Sequence, residues 1–161
     1  MAYEIERKFL VHDESWRGKA GKPSLIRQAY LVSNGKISLR VRTRDNIRAA
    51  VTIKSAAAET KRLEFEYEIP LADAEGLFSL REGAIIEKLR YELPQHDLVW
   101  EIDVFRGENQ GLVIAEIELP HEDTFFEKPD WIGREVTSDP RYSNANLATK
   151  PFRLWPDQHA R

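Results

Sequence analysis

Hydrophobic and polar residues alternate along most of this chain with a period of two, the spacing that places successive side chains on opposite faces of a β-strand. The first such segment is Glu4–Leu10, in which Glu4, Glu6 and Lys8 share one face. The same rhythm predicts further strands at Leu25–Val32, Ile37–Arg44, Arg48–Ser55, Arg62–Ile69, Ile85–Leu93, Leu98–Phe105 and Val113–Leu119. We therefore expect about eight strands, most of them joined in hairpin order.

Helical spacing is limited to a few segments. Ala72–Arg81 has apolar residues at helical intervals, and Gly83 is the kind of residue that commonly closes a helix. Beyond Pro120 the pattern becomes irregular, and we predict short helices at His121–Phe126 and Arg141–Ala148. Many strands with one inserted helix and a helical C-terminus predict an antiparallel β structure, which we expect to close into a barrel.

Composition narrows the class of protein. A chain of 161 residues with 42% hydrophobic and 32% charged residues is typical of a single globular domain, here residues 1–161. The net charge of −3 gives no electrostatic reason to expect nucleic-acid binding. The chain has no cysteine, no basic leader with an apolar core, and no apolar run of the ~20 residues that a membrane span needs. We expect a cytoplasmic protein that binds no membrane.

The polar faces of the predicted strands carry a dense set of charges. They are Glu4, Glu6, Lys8, Arg40, Arg42, Arg44, Lys54, Glu64, Glu66, Lys88, Arg90, Glu101, Asp103, Glu116 and Glu118. Two arrangements fit this pattern. Either the apolar faces fill a core and the charges face water, which is the more common arrangement, or the charges line the barrel and helices or a second subunit cover the apolar exterior.

The distribution of the charges favours the second arrangement. One strand carries Arg40, Arg42 and Arg44 on a single face, and another carries only Glu116 and Glu118 on its polar face. Like charges along one strand repel each other and are easier to understand if an ion lies between them. Arginine and lysine in series are also typical of sites that bind several phosphate groups.

Seven short motifs extend this picture in sequence order: E-I-E-R-K-F-L, L-R-V-R, T-I-K, E-x-E, E-K-L-R-Y, E-I-D-V-F and A-E-I-E-L. Their order and spacing resemble those of the CYTH superfamily, the triphosphate tunnel metalloenzymes. The resemblance extends from Glu4 to about Leu147 and implies an eight-stranded antiparallel β-barrel around a charged tunnel. We therefore expect the charges to lie inside the barrel.

The resemblance also implies a metal site. Its ligands would be Glu4, Glu6, Glu116 and Glu118, with Asp103 as a further or water-mediated ligand. Carboxylate oxygens suit Mg²⁺ or Mn²⁺, whereas the lack of cysteine and of clustered histidine disfavours zinc.

The remaining roles are implied in the same way. Phosphate binding would fall to Lys8, Arg40, Arg42, Lys54 and Arg90. Lys88 matches a position that in related enzymes helps to place or activate the attacking water, and we expect it to act in catalysis with Lys8. Glu64 and Glu66 would orient the basic side chains. Tyr30 would either contact the substrate or pack against its neighbours.

The implied reaction is hydrolysis of a triphosphate, in which a metal-activated water attacks the terminal phosphorus in line. Inorganic tripolyphosphate is our first choice of substrate, because the short chain, with a compact loop after its first strand, resembles the small bacterial tripolyphosphatases of this family. The motifs do not separate this activity from thiamine or nucleoside triphosphatases or from class IV adenylate cyclases. A further alternative is a non-catalytic barrel that binds polyphosphate or a nucleotide. The apolar exterior is also compatible with a homodimer.

Overall fold

The computed structural model of the protein describes residues 3–55 and 60–156. The strands are β1 Tyr3–Val11, β2 Ser24–Ser33, β3 Ile37–Arg44, β4 Arg48–Ser55, β5 Lys61–Ile69, β6 Glu82–Gln95, β7 Leu98–Phe105, β8 Val113–Glu118 and β9 Ile132–Glu135. The α-helices are α1 Leu71–Phe78 and α2 Asn144–Thr149. Short 3-10 helices occupy Arg17–Lys19, Gly107–Asn109, Pro140–Tyr142 and Phe152–Leu154. No helix in the described ranges is long and apolar enough to cross a membrane.

Strands β1 to β8 form the predicted eight-stranded antiparallel barrel. Their order is β5-β4-β3-β2-β6-β7-β8-β1, and pairing of β1 with β5 closes the sheet on itself. This closing seam is short, running from the Tyr3–Leu63 pair to the Ile5–Lys61 pair. Strand β9 lies outside the barrel and pairs with the free edge of β1. The predicted fold is confirmed, with β9 as an addition that the alternation did not reveal.

The helical predictions beyond Pro120 are partly wrong. His121–Phe126 forms a turn followed by chain without regular secondary structure, and Phe126 packs edge-on against the outer barrel residue Trp100 at a ring distance of 5.8 Å. The segment is thus shaped by a tertiary contact rather than by helical spacing. The predicted helix Arg141–Ala148 is divided into a 3-10 turn and α2.

Helix α1 is shorter than predicted, because it ends at Phe78 and is followed by a turn. Gly83 does not close it but belongs to β6, with a φ angle of 72°. A Cβ atom at Gly83 would lie 2.7 Å from the backbone oxygen of Ala148 in α2. Glycine is therefore required here for backbone conformation and for the close approach of α2.

The apolar strand faces point outward, and other parts of the chain cover most of them. Helix α1 packs Ala74 and Phe78 against β2, β3 and β4. On the opposite side, Trp16 and Trp131 cover β1, β7 and β8, where they surround the fully buried Trp100. These covers remove most of the apolar exterior from water, whereas the outer face of β5 remains exposed.

One end of the barrel interior is apolar rather than charged. On four strands, the inward-facing positions are charged towards the middle of the barrel and apolar at this end. The neighbouring charged and apolar positions are Lys8 and Leu10, Lys88 and Ile86, Asp103 and Phe105, and Glu116 and Ile114. These apolar side chains form one buried cluster with Leu147 of α2 and with Phe152. The C-terminal segment consequently fills this end of the barrel, and we call it the plug (residues 140–155).

The contact between Gly83 and α2 leads to a stability prediction. Gly83→Ala should destabilise the protein by roughly 1–3 kcal/mol, because the new methyl group must displace backbone and the φ angle is positive. Gly76→Ala is the matched control, since Gly76 lies in α1 with nothing within 4 Å of its would-be Cβ. It should stabilise by about 0.5–1 kcal/mol. Urea unfolding measures both, and equal stabilities of the two variants would contradict this packing.

Candidate active site

The charged part of the barrel encloses a cavity of about 300 Å³, which lies at the lower end of the range for small-molecule sites. Most of the predicted site residues line it, namely Glu4, Glu6, Lys8, Tyr30, Arg40, Arg42, Lys54, Glu64, Glu66, Arg90, Glu116 and Glu118. The other two, Lys88 and Asp103, are fully buried behind this lining. The charges therefore lie inside the barrel, and the more common arrangement with charges in water is excluded.

Several lining residues were not among the predicted site residues. Ser38, Thr52 and Arg62 share the inward phase of Arg40, Lys54 and Glu64, so strict application of period two would have found them. Residues 143–145 also line the cavity, but they come from the start of α2. No strand periodicity could have placed that segment inside the barrel.

The cavity lining contains equal numbers of basic and acidic side chains, and the two kinds are concentrated on different strands. Its bases are Lys8, Arg40, Arg42, Arg44, Lys54, Arg62 and Arg90, and its acids are Glu4, Glu6, Glu64, Glu66, Glu101, Glu116 and Glu118. The three arginines of β3 form one wall, whereas β1 and β8 contribute four of the glutamates. This separation creates a basic side suited to an anion and an acidic side suited to a cation.

On the acidic side, Lys54 bridges two carboxylates, with Nζ 3.0 Å from Glu4 Oε1 and 3.3 Å from Glu64 Oε2. Burial raises the pKa of Glu4, and its contact with Glu64 raises this pKa further. At Glu6 burial also works to raise the pKa, but Lys54 and other nearby cations outweigh it and lower the value. Arg62 contributes through a contact of 3.3 Å from Nη2 to Glu6 Oε1. The two carboxylates therefore differ in how readily they take up a proton.

Carboxylates crowd each other at the junction of β1 and β8, where Glu6 and Glu118 are paired in register. Burial raises the pKa of Glu118, and the charges of Glu4, Glu6 and Glu101 raise it further. Hard divalent cations take oxygen ligands, so a cation here would relieve the same repulsion. These carboxylates therefore fit a divalent cation by their donor chemistry and charge. In the described ranges, however, no three His, Cys, Asp or Glu side chains are arranged around a single metal position.

A buried ionic network lies behind the cavity wall and centres on Asp103. Arg90 donates from Nε to Asp103 Oδ1 at 2.8 Å and from Nη2 to Oδ2 at 2.9 Å, while Lys88 Nζ lies 2.7 Å from Oδ2. Burial acts to raise the pKa of Asp103, but Arg90 and Lys88 outweigh it and hold the pKa below its usual value. The network fixes the position of Arg90 in the cavity lining.

Lys88 lies at the boundary between this network and the plug. Burial lowers the pKa of its ammonium to about 7, although Asp103 opposes the shift. The Nζ atom also donates to Asn144 Oδ1 at 3.1 Å and lies 5.3 Å from the ring centre of Phe105. A lysine with a pKa near neutrality can hold or release a proton during a reaction.

The basic wall contains donors without protein partners. Arg42 Nε donates to Gln28 Oε1 at 2.8 Å, and Arg40 Nη2 donates to Thr52 Oγ1 at 3.0 Å. Burial, together with the neighbouring Arg40 and Arg90, lowers the pKa of Arg42 to about 9. Among the five buried side-chain groups without a hydrogen-bond partner in the described part of the chain, Arg40 Nε belongs to a residue of the cavity lining, and Gln28 Nε2 lies behind that lining. Unpaired buried donors beside crowded cations indicate an anion-binding wall.

A closed antiparallel barrel with an arginine wall facing a carboxylate wall defines a site for a polyanion together with a cation. The chain belongs to the CYTH domain family, whose model matches residues 2–152.

Relatives resemble the chain along nearly its whole length. It is 48% identical over 154 residues to an inorganic triphosphatase of Acetivibrio thermocellus, covering 95% of this chain and 97% of that one. It is 39% identical over 150 residues to an inorganic triphosphatase of Nitrosomonas europaea, covering 90% and 96%. The crystal structure of the inorganic triphosphatase NE1496 is similar with a TM-score of 0.65 and 37% identity, covering 92% of this chain and 95% of that one.

The Asp103 network leads to a second stability prediction. Asp103→Ala should destabilise the protein by about 3–5 kcal/mol, because it leaves Arg90 and Lys88 buried without their carboxylate. Glu75→Ala is the control, since it removes an exposed ion pair with Arg27 and should change stability by less than about 1 kcal/mol. Urea unfolding at pH 7 separates the two, and a loss at Asp103 no larger than that at Glu75 would refute the role of the network.

Proposed function

We propose that this chain is a metal-dependent triphosphatase that hydrolyses inorganic tripolyphosphate. The observation that carries the proposal is the cavity inside the barrel, with cations on one wall and carboxylates on the other. Relatives named inorganic triphosphatase that match at least 90% of the chain support this substrate. We further propose that residues 1–161 act as one cytoplasmic domain.

The phosphate chain lies against the basic wall in this proposal. Its ligands are Arg40 and Arg42 of that wall, together with Lys8, Lys54 and Arg90 from strands β1, β4 and β6. Guanidinium groups bind phosphate oxygens with two parallel hydrogen bonds, and ammonium groups act as compact charges. The unpaired Arg40 Nε supports this role, because a phosphate oxygen would satisfy a donor that the protein leaves without a partner. Glu64 and Glu66 keep the cations in position.

Charge balance supports the metal requirement. The lining is neutral in formal charge, so a substrate with about −2 on each terminal phosphoryl group would add uncompensated negative charge. We propose that Glu4, Glu6, Glu116 and Glu118 bind Mg²⁺ or Mn²⁺. Both oxygens of Asp103 are engaged by Arg90 and Lys88, so we assign it an indirect role through water. When bound, the cation would neutralise phosphate oxygens and lower the pKa of the attacking water.

The proposed reaction is in-line attack of water on the terminal phosphorus. The new bond joins the water oxygen to that phosphorus, the bond to the bridging oxygen breaks, and phosphate and diphosphate leave, while the proton lost by the water passes to a product phosphate oxygen or to solvent. Lys8 stabilises the charge on the phosphoryl oxygens. Lys88 helps to place the attacking water, and its pKa near neutrality suits it to hold or accept a proton.

We also propose a homodimer. The outer face of β5 and the adjoining start of β1 expose three aromatic side chains, Tyr3, Phe65 and Tyr67, and contiguous apolar surface of this kind commonly marks an interface. Light scattering should therefore report twice the chain mass, and Tyr67→Lys should shift the protein towards the monomer. Leu154→Lys, at an exposed site in the plug, should leave the mass unchanged. A monomeric wild-type protein at micromolar concentration would overturn this assignment.

The activity is tested by phosphate release. Tripolyphosphate with Mg²⁺ or Mn²⁺ should be hydrolysed faster than ATP or thiamine triphosphate, and a chelator should abolish turnover. Glu116→Ala and Lys88→Ala should each lower kcat by at least about 100-fold, because each removes a group that acts on the transition-state charge.

The matched control is Glu87→Ala. Glu87 is the sequence neighbour of Lys88 but lies on the outer face of β6, where it pairs with Arg106, so the variant should retain full activity. Circular dichroism checks that all three variants are folded. Wild-type turnover in both Glu116→Ala and Lys88→Ala would contradict the site. Formation of cyclic AMP and pyrophosphate from ATP, or no turnover of any triphosphate, would contradict the proposed reaction.

A further inference from the structure

We propose that Asn144, the first residue of α2, is a further substrate-binding residue that also positions Lys88. Its amide oxygen accepts a hydrogen bond from the Lys88 ammonium, and its amide nitrogen donates to an oxygen of the terminal phosphoryl group. The inference rests on the proposed function and adds to it a contact supplied by the plug rather than by the barrel.

The first step is the position of Asn144 between Lys88 and the cavity. Lys88 is fully buried and is not part of the cavity lining, whereas Asn144 does line the cavity. The two are joined by the hydrogen bond of 3.1 Å from Nζ to Oδ1. Asn144 is thus the direct link between the buried ammonium and the space where substrate would lie.

The second step is the orientation of the amide. An ammonium group has donors only, so the side-chain oxygen of Asn144 faces Lys88, and the amide nitrogen is left for another acceptor. In the described part of the chain this nitrogen donates to no protein acceptor. Phosphate oxygens are acceptors only, so the free amide group has the hydrogen-bonding character that a phosphoryl group needs.

The third step is the fixed position of α2. Leu147 is fully buried in the apolar cluster of the plug, and the close approach of Gly83 to Ala148 leaves no space on that side. The Ser143 hydroxyl accepts a hydrogen bond from Asn146 N at 3.1 Å and so caps the helix. A side chain held by this packing is preorganised to bind substrate.

The packing around Lys88 limits the position of the phosphoryl group on one side. Apolar side chains fill the barrel beyond Lys88, so the group that contacts Asn144 cannot extend in that direction. A second cavity, which shares Glu6, Lys8 and Ser143 with the first, continues beside α2.

Three variants test this inference with tripolyphosphate. Asn144→Asp keeps an oxygen for Lys88 but replaces the amide donor with a negative charge, and it should raise KM at least tenfold. Asn144→Ala removes both contacts and should raise KM and also lower kcat at least tenfold. Thr149→Ala, at the exposed far end of the same helix, should keep both constants within twofold of wild type.

Urea unfolding of each variant separates this role from a structural one, because loss of folded protein lowers the apparent kcat without raising KM. Wild-type kinetic constants in both Asn144 variants, with an active wild-type enzyme, would overturn the inference and leave the proposed function intact. If the wild-type protein proves inactive, calorimetric binding of tripolyphosphate replaces the kinetics. Asn144→Asp should then weaken the affinity at least tenfold, and an unchanged affinity would refute the contact.

Discussion

A charge removed from water is tolerated in a protein only where an opposite charge, hydrogen bonds or a ligand replaces its hydration. This barrel places its charges inside, so that constraint governs the whole structure. Where the interior is fully closed, the protein supplies the compensation itself, as in the bonds from Arg90 and Lys88 to Asp103. Where the cavity is open, compensation is incomplete, and the unpaired Arg40 Nε and the crowded carboxylates around Glu118 are left. The site is therefore the part of the interior in which a ligand completes the pairing.

The same constraint explains the exterior and the plug. A barrel with a charged interior must cover its apolar outer face, and α1 with Phe78 and the loops with Trp16 and Trp131 provide most of that cover. The charged series could not continue to the end of the barrel without further partners. The strands instead change to apolar residues, and Leu147 packs on them. The boundary between the two regions is where Lys88 lies, which accounts for its lowered pKa.

Much of this arrangement could be predicted from the sequence, because the strands alternate regularly and most site residues lie on them. Alternation alone defines two faces without saying which one is inside, and only the like-charge strands and the family motifs resolved that choice. Arg62 could have been predicted as a site residue, because it lies on the same face of its strand as Glu64. Asn144 was not, because its position depends on how α2 packs inside the barrel. The helix predicted at His121–Phe126 failed for a related reason, namely a tertiary contact of Phe126 that local spacing does not encode.

The central claim is that one cavity binds a cation on its carboxylate side and a triphosphate on its arginine side. Anomalous diffraction from crystals grown with Mn²⁺ and a non-hydrolysable imido analogue of tripolyphosphate tests it most directly. The account predicts a manganese peak within coordination distance of Glu116 and Glu118, with phosphate oxygens bonded to Arg40 and Arg42. Manganese and analogue bound only on the outside of the barrel, with the cavity free of both, would contradict it.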